Sequence, residues 1–221
     1  MDLGVSDVYE DAGDLSDMDS NDAFERIEKA IGTILDAHKR PLSLGGDHSV
    51  SYPILRAFGK RVPGVTLLHF DAHPDLYANY ANNPHSHASP FARIMEKQLV
   101  QRLVQIGIRT LNAHQQEQGK KLGVEIYEMN RLPELANLKL AGPIYVSLDL
   151  DVLEPGVAPG LSHWEPGGLT TREVIRYIQA LPAPIVGADV VEFNPVRDRS
   201  GMTAMVAAKI VKELLGMMIK G

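Results

Sequence analysis

The chain has 221 residues, 44% hydrophobic and 23% charged, with no cysteine and a formal charge of −6 at pH 7. That suits a single globular domain, 1–221, and excludes disulfides, thiolate metal sites and cysteine nucleophiles. No apolar run is long enough to cross a bilayer, the acidic balance argues against a nucleic-acid partner, and the acidic start lacks the features of a signal peptide, so a cytoplasmic protein is expected.

Residues 1–22 are rich in acid (Asp2, Asp7, Glu10, Asp11, Asp14, Asp17, Asp19, Asp22) and read as a solvated leader. A helical pattern starts near Asn21, with Phe24, Ile27, Ile31, Ile34 and Leu35 on one face and Asn21 or Asp22 as N-cap. Residues 41–44 read as a short strand closed by Gly45-Gly46. Helix follows at 52–58, strand at 65–70, helix at 89–97, strand at 103–108, helix at 113–122 and strand at 124–127. Residues 143–148 form a strongly apolar strand. Thr170 caps a helix to about residue 180, with Glu173 as its capping-box partner. A strand at 185–191 and a helix at 202–219 complete the chain; the last helix shows a broad apolar face of Met205, Val206, Ile210, Val211, Leu214, Leu215 and Met218. Six strands alternating with helices imply right-handed crossovers and a parallel sheet covered on both faces, an α/β fold.

The polar clusters share one position in this scheme. His48 follows the 41–44 strand. Asp71, His73 and Asp75 follow the 65–70 strand, Asp149 and Asp151 end the 143–148 strand, and Glu192 ends the 185–191 strand. The C-terminal ends of parallel strands lie along one edge, where open α/β folds bind ligands. Burying such groups without partners costs several kcal/mol each, roughly. An oxygen-rich donor set with a minority of imidazole suits Mn²⁺ or a similar divalent ion better than structural zinc. Two histidines and four aspartates suffice for two cations about 3.5–4 Å apart, which would make hydroxide available near neutral pH.

The remaining histidines divide. His69, inside a strand, reads as a satisfied core residue rather than a ligand. His38 and His114 read as helical surface residues. His85, His87 and His163 lie in loops, where either a proton donor at the crevice or a solvated side chain fits.

At these residues the chain resembles the ureohydrolases, the arginase and agmatinase family. GGDHS at 45–49, DAHPD at 71–75 and SLDLDVLEPGVAPG at 147–160 match its three signatures. Further matches are SHASPFARIME at 86–96, EPGGLT at 165–170, GADVVEFNP at 187–195 and GMTAMVAAKIVKEL at 201–214, which look most like plant-type arginases and bacterial agmatinase-like proteins. The resemblance implies a three-layer α/β/α sandwich around a mainly parallel sheet. It implies two Mn²⁺ ions: one held by His48, Asp71, Asp75 and Asp149, the other by Asp71, His73, Asp149 and Asp151. Glu192 would bind a guanidinium, His87 would protonate the leaving nitrogen, and Asp75 would orient the attacking hydroxide. The reaction implied is hydrolysis of arginine or agmatine to urea and ornithine or putrescine, the partner a small guanidino substrate.

Two departures from the family pattern bear on this. Family members carry two further strands and a helix before the region where this chain begins, so six strands are expected, with 41–44 as an edge. A truncated, weakly active subunit acting by association is therefore a second expectation. The loop 76–85 differs from animal-type arginases, with Tyr77 in a substrate-binding position, which leaves arginine, agmatine, guanidinobutyrate, guanidine or formiminoglutamate open. A homo-oligomer, trimer or hexamer, is also implied.

Overall fold

The computed structural model describes residues 8–16, 21–132, 134–182 and 184–220. Six strands appear where the apolar runs predict them: β1 Leu42–Leu44, β2 Thr66–Phe70, β3 Arg102–Ile108, β4 Glu125–Glu128, β5 Ile144–Asp149 and β6 Ile185–Val191. They form one sheet in the order β1-β6-β5-β2-β3-β4, and every pairing is parallel. The shortest strand, β1, is an edge, and Leu44 on it is 65% exposed. The central strands β2 and β5 are buried at every residue, as near-continuous apolar runs in a covered parallel sheet should be.

The described residues form six α-helices, four between strands and one at either end: α1 Ala23–Asp36, α2 Ser51–Gly59, α3 Pro90–Glu96, α4 Ala113–Leu122, α5 Thr171–Gln179 and α6 Met202–Lys220. One core lies between the sheet and α1, α2 and α3, where Ile27, Ile31, Leu55, Phe58, Phe91 and Ile94 meet Leu67, Leu103 and Tyr145. The other lies between the opposite face and α5 and α6, where Val174, Ile178, Ile210 and Leu214 meet Leu68, Val104, Val146 and Ala188. Period-2 alternation along β2 sends Leu67 to one core and Leu68 to the other. The result is three layers.

Local signals account for the helix ends. The capping box of α5 is complete: Thr170 Oγ1 accepts the Glu173 N–H (3.3 Å), and Glu173 Oε2 accepts the Thr170 N–H (2.8 Å). Such a cap contributes about 1 kcal/mol. Asp22 takes the N-cap position of α1, but its side chain makes no capping bond.

Two expectations change. His38 lies not in a helix but in the turn after α1, with φ 56°. His114 is helical and exposed as expected, with its ring stacked on Tyr77 at 5.5 Å. Met205 is 72% exposed, because α6 buries the stripe Ile210, Leu214 and Met218. Five residues at 100° each rotate Met205 roughly 140° away from Ile210. Of the acidic leader, residues 8–16 are exposed; Asp2, Asp7, Asp17 and Asp19 lie outside the described residues.

Candidate metal centre

The polar strand ends meet at the C-terminal edge of the sheet. After β1 the chain turns through Gly45 (φ 90°) and Gly46 (φ 76°), left-handed conformations that favour glycine. A Cβ on Gly46 would stand 2.8 Å from Val50 Cγ1. Asp47 then caps a short 3-10 turn, His48–Val50, by accepting the Ser49 N–H at 3.0 Å. This turn carries His48 to the ends of β2 and β5. Asp75 (φ 48°) and Glu192 (φ 65°) also hold left-handed backbones, a conformation that costs a non-glycine residue about 1–3 kcal/mol and clusters at functional sites.

His48 Nδ1 lies 3.1 Å from Asp71 Oδ2, 3.2 Å from Asp149 Oδ2 and 3.3 Å from Asp75 Oδ2. His73 Nδ1 lies 2.9 Å from Asp151 Oδ2 and 3.5 Å from Asp71 Oδ1. Backbone amides fix the other carboxylate oxygens: Asp71 Oδ1 accepts from His73 N–H (2.6 Å), Asp149 Oδ1 from Asp151 N–H (2.7 Å), and Asp151 Oδ1 from Ala72 N–H (2.9 Å). One oxygen of Asp149 and one of Asp151 is thus tied to backbone while the other faces an imidazole.

This concentration of charge shifts all six clustered donors. Burial opposes protonation of His48, yet Asp149, Asp71 and Asp75 facing it raise its pKa well above the ordinary histidine value. Burial, with the charge of Asp71, raises Asp75 to about 6 and Asp151 to about 7. Burial and the charges of Asp151 and Asp71 raise Asp149 well above the usual carboxylate value. Burial opposes ionisation of Asp71 too, but bonds from His69, His48 and His73 hold it well below that value. Burial pulls His73 down, yet Asp151 and Asp71 prevail and push it up to about 12. Without a cation, the cluster retains protons near neutral pH to limit its own negative charge.

The donors fit divalent cations. His48 Nδ1 is buried, has no hydrogen-bond partner, and faces three carboxylate oxygens. The ligand atoms of Asp71, His73 and Asp151 all lie within 4.8 Å of one another, as do those of His48, His69 and Asp71. In the second group His69 is not free to ligate. Its Nδ1 receives Gln105 Nε2–H at 2.9 Å and its Nε2–H donates to Asp71 Oδ2 at 2.8 Å. Burial keeps this ring neutral, with a pKa lowered to about 4.

The loop histidines separate cleanly. His85 stacks on Tyr52 at 5.5 Å and meets Phe24 edge-on, away from the carboxylates. His87 stacks on His163 at 5.9 Å, and His163 in turn stands 6.2 Å from the His73 ring. Glu192 Oε1 accepts the backbone N–H of His48 at 2.9 Å, which places this carboxylate beside the centre. Tyr77 is tied sideways, its hydroxyl accepting Asn112 Nδ2–H at 2.5 Å.

Several residues of the site were not anticipated. Ser147 Oγ lies 2.9 Å from His48 Nε2 and donates to Asp189 Oδ1 at 2.7 Å. Glu165 Oε1 lies 3.4 Å from His73 Nε2. The Arg109 guanidinium donates to the carbonyl of Glu165 (2.9 and 2.6 Å) and to that of Asp151 (2.6 Å). The available signal was a polar residue inside an otherwise apolar strand, as with Ser147, Asp189 and Gln105. Nothing local marks Arg109, and Glu165 opens the EPGGLT segment that matched the family without a role attached to it.

A three-layer parallel α/β fold with a buried carboxylate–imidazole cluster at its C-terminal edge defines a metal-binding α/β protein. Residues 3–216 match the model of the Arginase family, and the chain belongs to that family. It is 49% identical to "Arginase 1, mitochondrial" of Arabidopsis thaliana, over 94% of this chain and 66% of that protein. It is 39% identical to "Agmatinase" of Bacillus cereus, over 94% of this chain and 74% of the relative. Among solved structures, an arginase from Medicago truncatula superposes with a TM-score of 0.83 at 47% identity, covering 89% of this chain and 65% of that one. The chain thus spans between 58% and 67% of the length of these plant proteins.

Proposed function

We propose that this protein is a binuclear-manganese amidinohydrolase that releases urea from a small guanidino substrate. The observation that carries the proposal is His48 Nδ1, buried without a hydrogen-bond partner among the oxygens of Asp71, Asp75 and Asp149. His48, Asp71, Asp75 and Asp149 would hold one ion, and Asp71, His73, Asp149 and Asp151 the other, with Asp71 and Asp149 shared. When bound, the two cations would lower the pKa of water and supply positive charge for a tetrahedral centre. A guanidinium is a poor electrophile, so both effects are needed.

The chain's own residues would do the rest. Asp75, held at φ 48° with one oxygen 3.3 Å from His48, orients the attacking water. Glu192, with one oxygen on the His48 amide, keeps its second oxygen for the guanidinium, a pairing strengthened by charge. His87, joined to His73 through the His163 ring, gives a proton to the departing amine. Tyr77 borders the substrate's tail. The higher identity to plant arginases than to bacterial agmatinases favours arginine over agmatine. Assembly as a trimer or hexamer and a cytoplasmic location complete the proposal; among the described residues no helix is long and apolar enough to cross a membrane.

Urea release with added Mn²⁺, measured side by side on arginine and agmatine, tests it. Turnover of arginine is expected, and no urea from either substrate by chain that has bound manganese would refute the reaction. His87→Ala should slow turnover while bound manganese is unchanged; loss of metal would show that His87 is misplaced.

A further inference from the structure

The sheet register brings four polar side chains into one row beneath the metal centre. Asp189 on β6 pairs with Ser147 on β5, Ser147 with His69 on β2, and His69 with Gln105 on β3. All four are fully buried, and they share the sheet face that meets α2 and α3. Asp71, just past the end of β2, and Asp149, the last residue of β5, stand two residues beyond His69 and Ser147. One half of the row, Gln105 and His69, supports Asp71, as described. The other half, Ser147 and Asp189, ends on His48.

Asp189 is a carboxylate at 0% exposure whose bonding partners are hydroxyls. Oδ1 accepts from Ser147 (2.7 Å); Oδ2 accepts from Tyr145 OH (2.7 Å) and Ser51 Oγ (3.1 Å). A carboxylate cannot donate when ionised, so each hydroxyl proton must point at it. Ser147 has only one proton. With that proton committed to Asp189, its oxygen can only accept from His48 Nε2, so Nε2 keeps its proton. Nδ1, which faces Asp71, Asp75 and Asp149, is then the nitrogen that gives up its proton to a cation, as a metal ligand must.

We infer that Asp189 is a positioning residue that acts through Ser147 to set the tautomer and orientation of His48 for metal binding. Without the Asp189 acceptor, the Ser147 proton is free to turn toward His48 Nε2. The imidazole then carries its proton on Nδ1, where it blocks a cation. The inference rests on the metal-centre reading above.

Titration of Mn²⁺ into metal-stripped chain tests it, with wild type, Asp189→Ala, Asp189→Asn, Ser147→Ala, Tyr145→Phe and the Asp189→Ala/Ser147→Ala double variant. Wild type should bind two ions. Asp189→Ala and Ser147→Ala should each weaken one ion about 10–100-fold, the range for such supporting groups. Asp189→Asn keeps an amide oxygen that can accept from Ser147 and should bind better than Asp189→Ala. The double variant should be no worse than the poorer single one, since both break the same chain of bonds. Tyr145→Phe touches only the Oδ2 side and should bind both ions within about twofold of wild type. If Asp189→Ala does not fold, Ser147→Ala and Tyr145→Phe carry the comparison. Wild type that binds no manganese would refute the metal-centre reading itself. Two-ion wild type with undiminished binding in Asp189→Ala or Ser147→Ala would overturn the inference, and equal losses in Tyr145→Phe and Ser147→Ala would reduce the row to a structural role.

Discussion

The two histidines of the centre present the same atom inward and are supported in opposite ways outward. His48 is 1% exposed, packed edge-on against the paired rings of His69 and Phe91, with Nε2 on a hydroxyl that leads to a buried carboxylate. His73 is 24% exposed, and its Nε2 faces Glu165, itself 34% exposed. The loop that carries Glu165 is fastened by its backbone to Arg109, which also grips the carbonyl of Asp151. The same inner geometry can therefore be built by packing against a sheet or by tying down a loop. The first support is stiff and dry. The second is open to water, where charges are screened and interactions weaker.

Four experiments break or sharpen that contrast. The largest effect belongs to the group common to both halves. Asp71 reaches His48 with one oxygen and His73 with the other, so Asp71→Asn should abolish both metal-binding events and urea release, read by metal analysis and a urea assay. Retention of either ion would show that the halves are independent.

Next, the halves should differ in what they do for the fold. Removing the His48 ring leaves a cavity among His69 and Phe91, so metal-free His48→Ala should lose about 2–3 kcal/mol of stability in urea unfolding. Metal-free His73→Ala opens no such cavity but takes the imidazolium away from Asp151 and Asp71, so its loss is electrostatic and should shrink in added salt, while that of His48→Ala holds. Equal salt responses would erase the distinction between packed and tied.

Glu165 sharpens the open half. Glu165→Ala should weaken one Mn²⁺ about 10–100-fold with little change in melting of the metal-free chain, and Glu165→Gln, which keeps an acceptor, should recover most of the affinity. Unchanged binding in the alanine variant would remove Glu165 from the site.

The smallest effect is in the pH response. Asp75 and Asp151 are raised from 3.8 to about 6 and about 7 in the fold. The folded, metal-free chain therefore binds more protons than the unfolded chain between about pH 4 and pH 7, and these groups make it less stable as pH rises through that window. His73, raised to about 12, acts in the same direction above its ordinary value. Asp71, lowered, has the opposite sign but acts only below its ordinary value of 3.8. Mn²⁺ replaces the retained protons, so its stabilising effect should grow with pH. Calorimetry with and without Mn²⁺ at about pH 5.5 and 8 measures both trends; an ion effect that shrinks at the higher pH would contradict the charge balance described.

The amino-acid sequence alone determined the alternation of strands and helices, the six strands, and the gathering of His48, Asp71, His73, Asp75, Asp149, Asp151 and Glu192 at one edge. Those features follow from local periods, caps and turns, and from a general property of parallel sheets. Tertiary structure decided where the loop histidines sit: Tyr52 and Phe24 claim His85, while His87 stacks on His163, which stands beside His73. It also decided that Asp189, Ser147, His69 and Gln105 form one row, and that Arg109 and Glu165 belong to the site. Register between strands far apart in sequence, and the seating of loops on one another, have no local period to read. They are set only when the core closes and every buried polar group must find a partner.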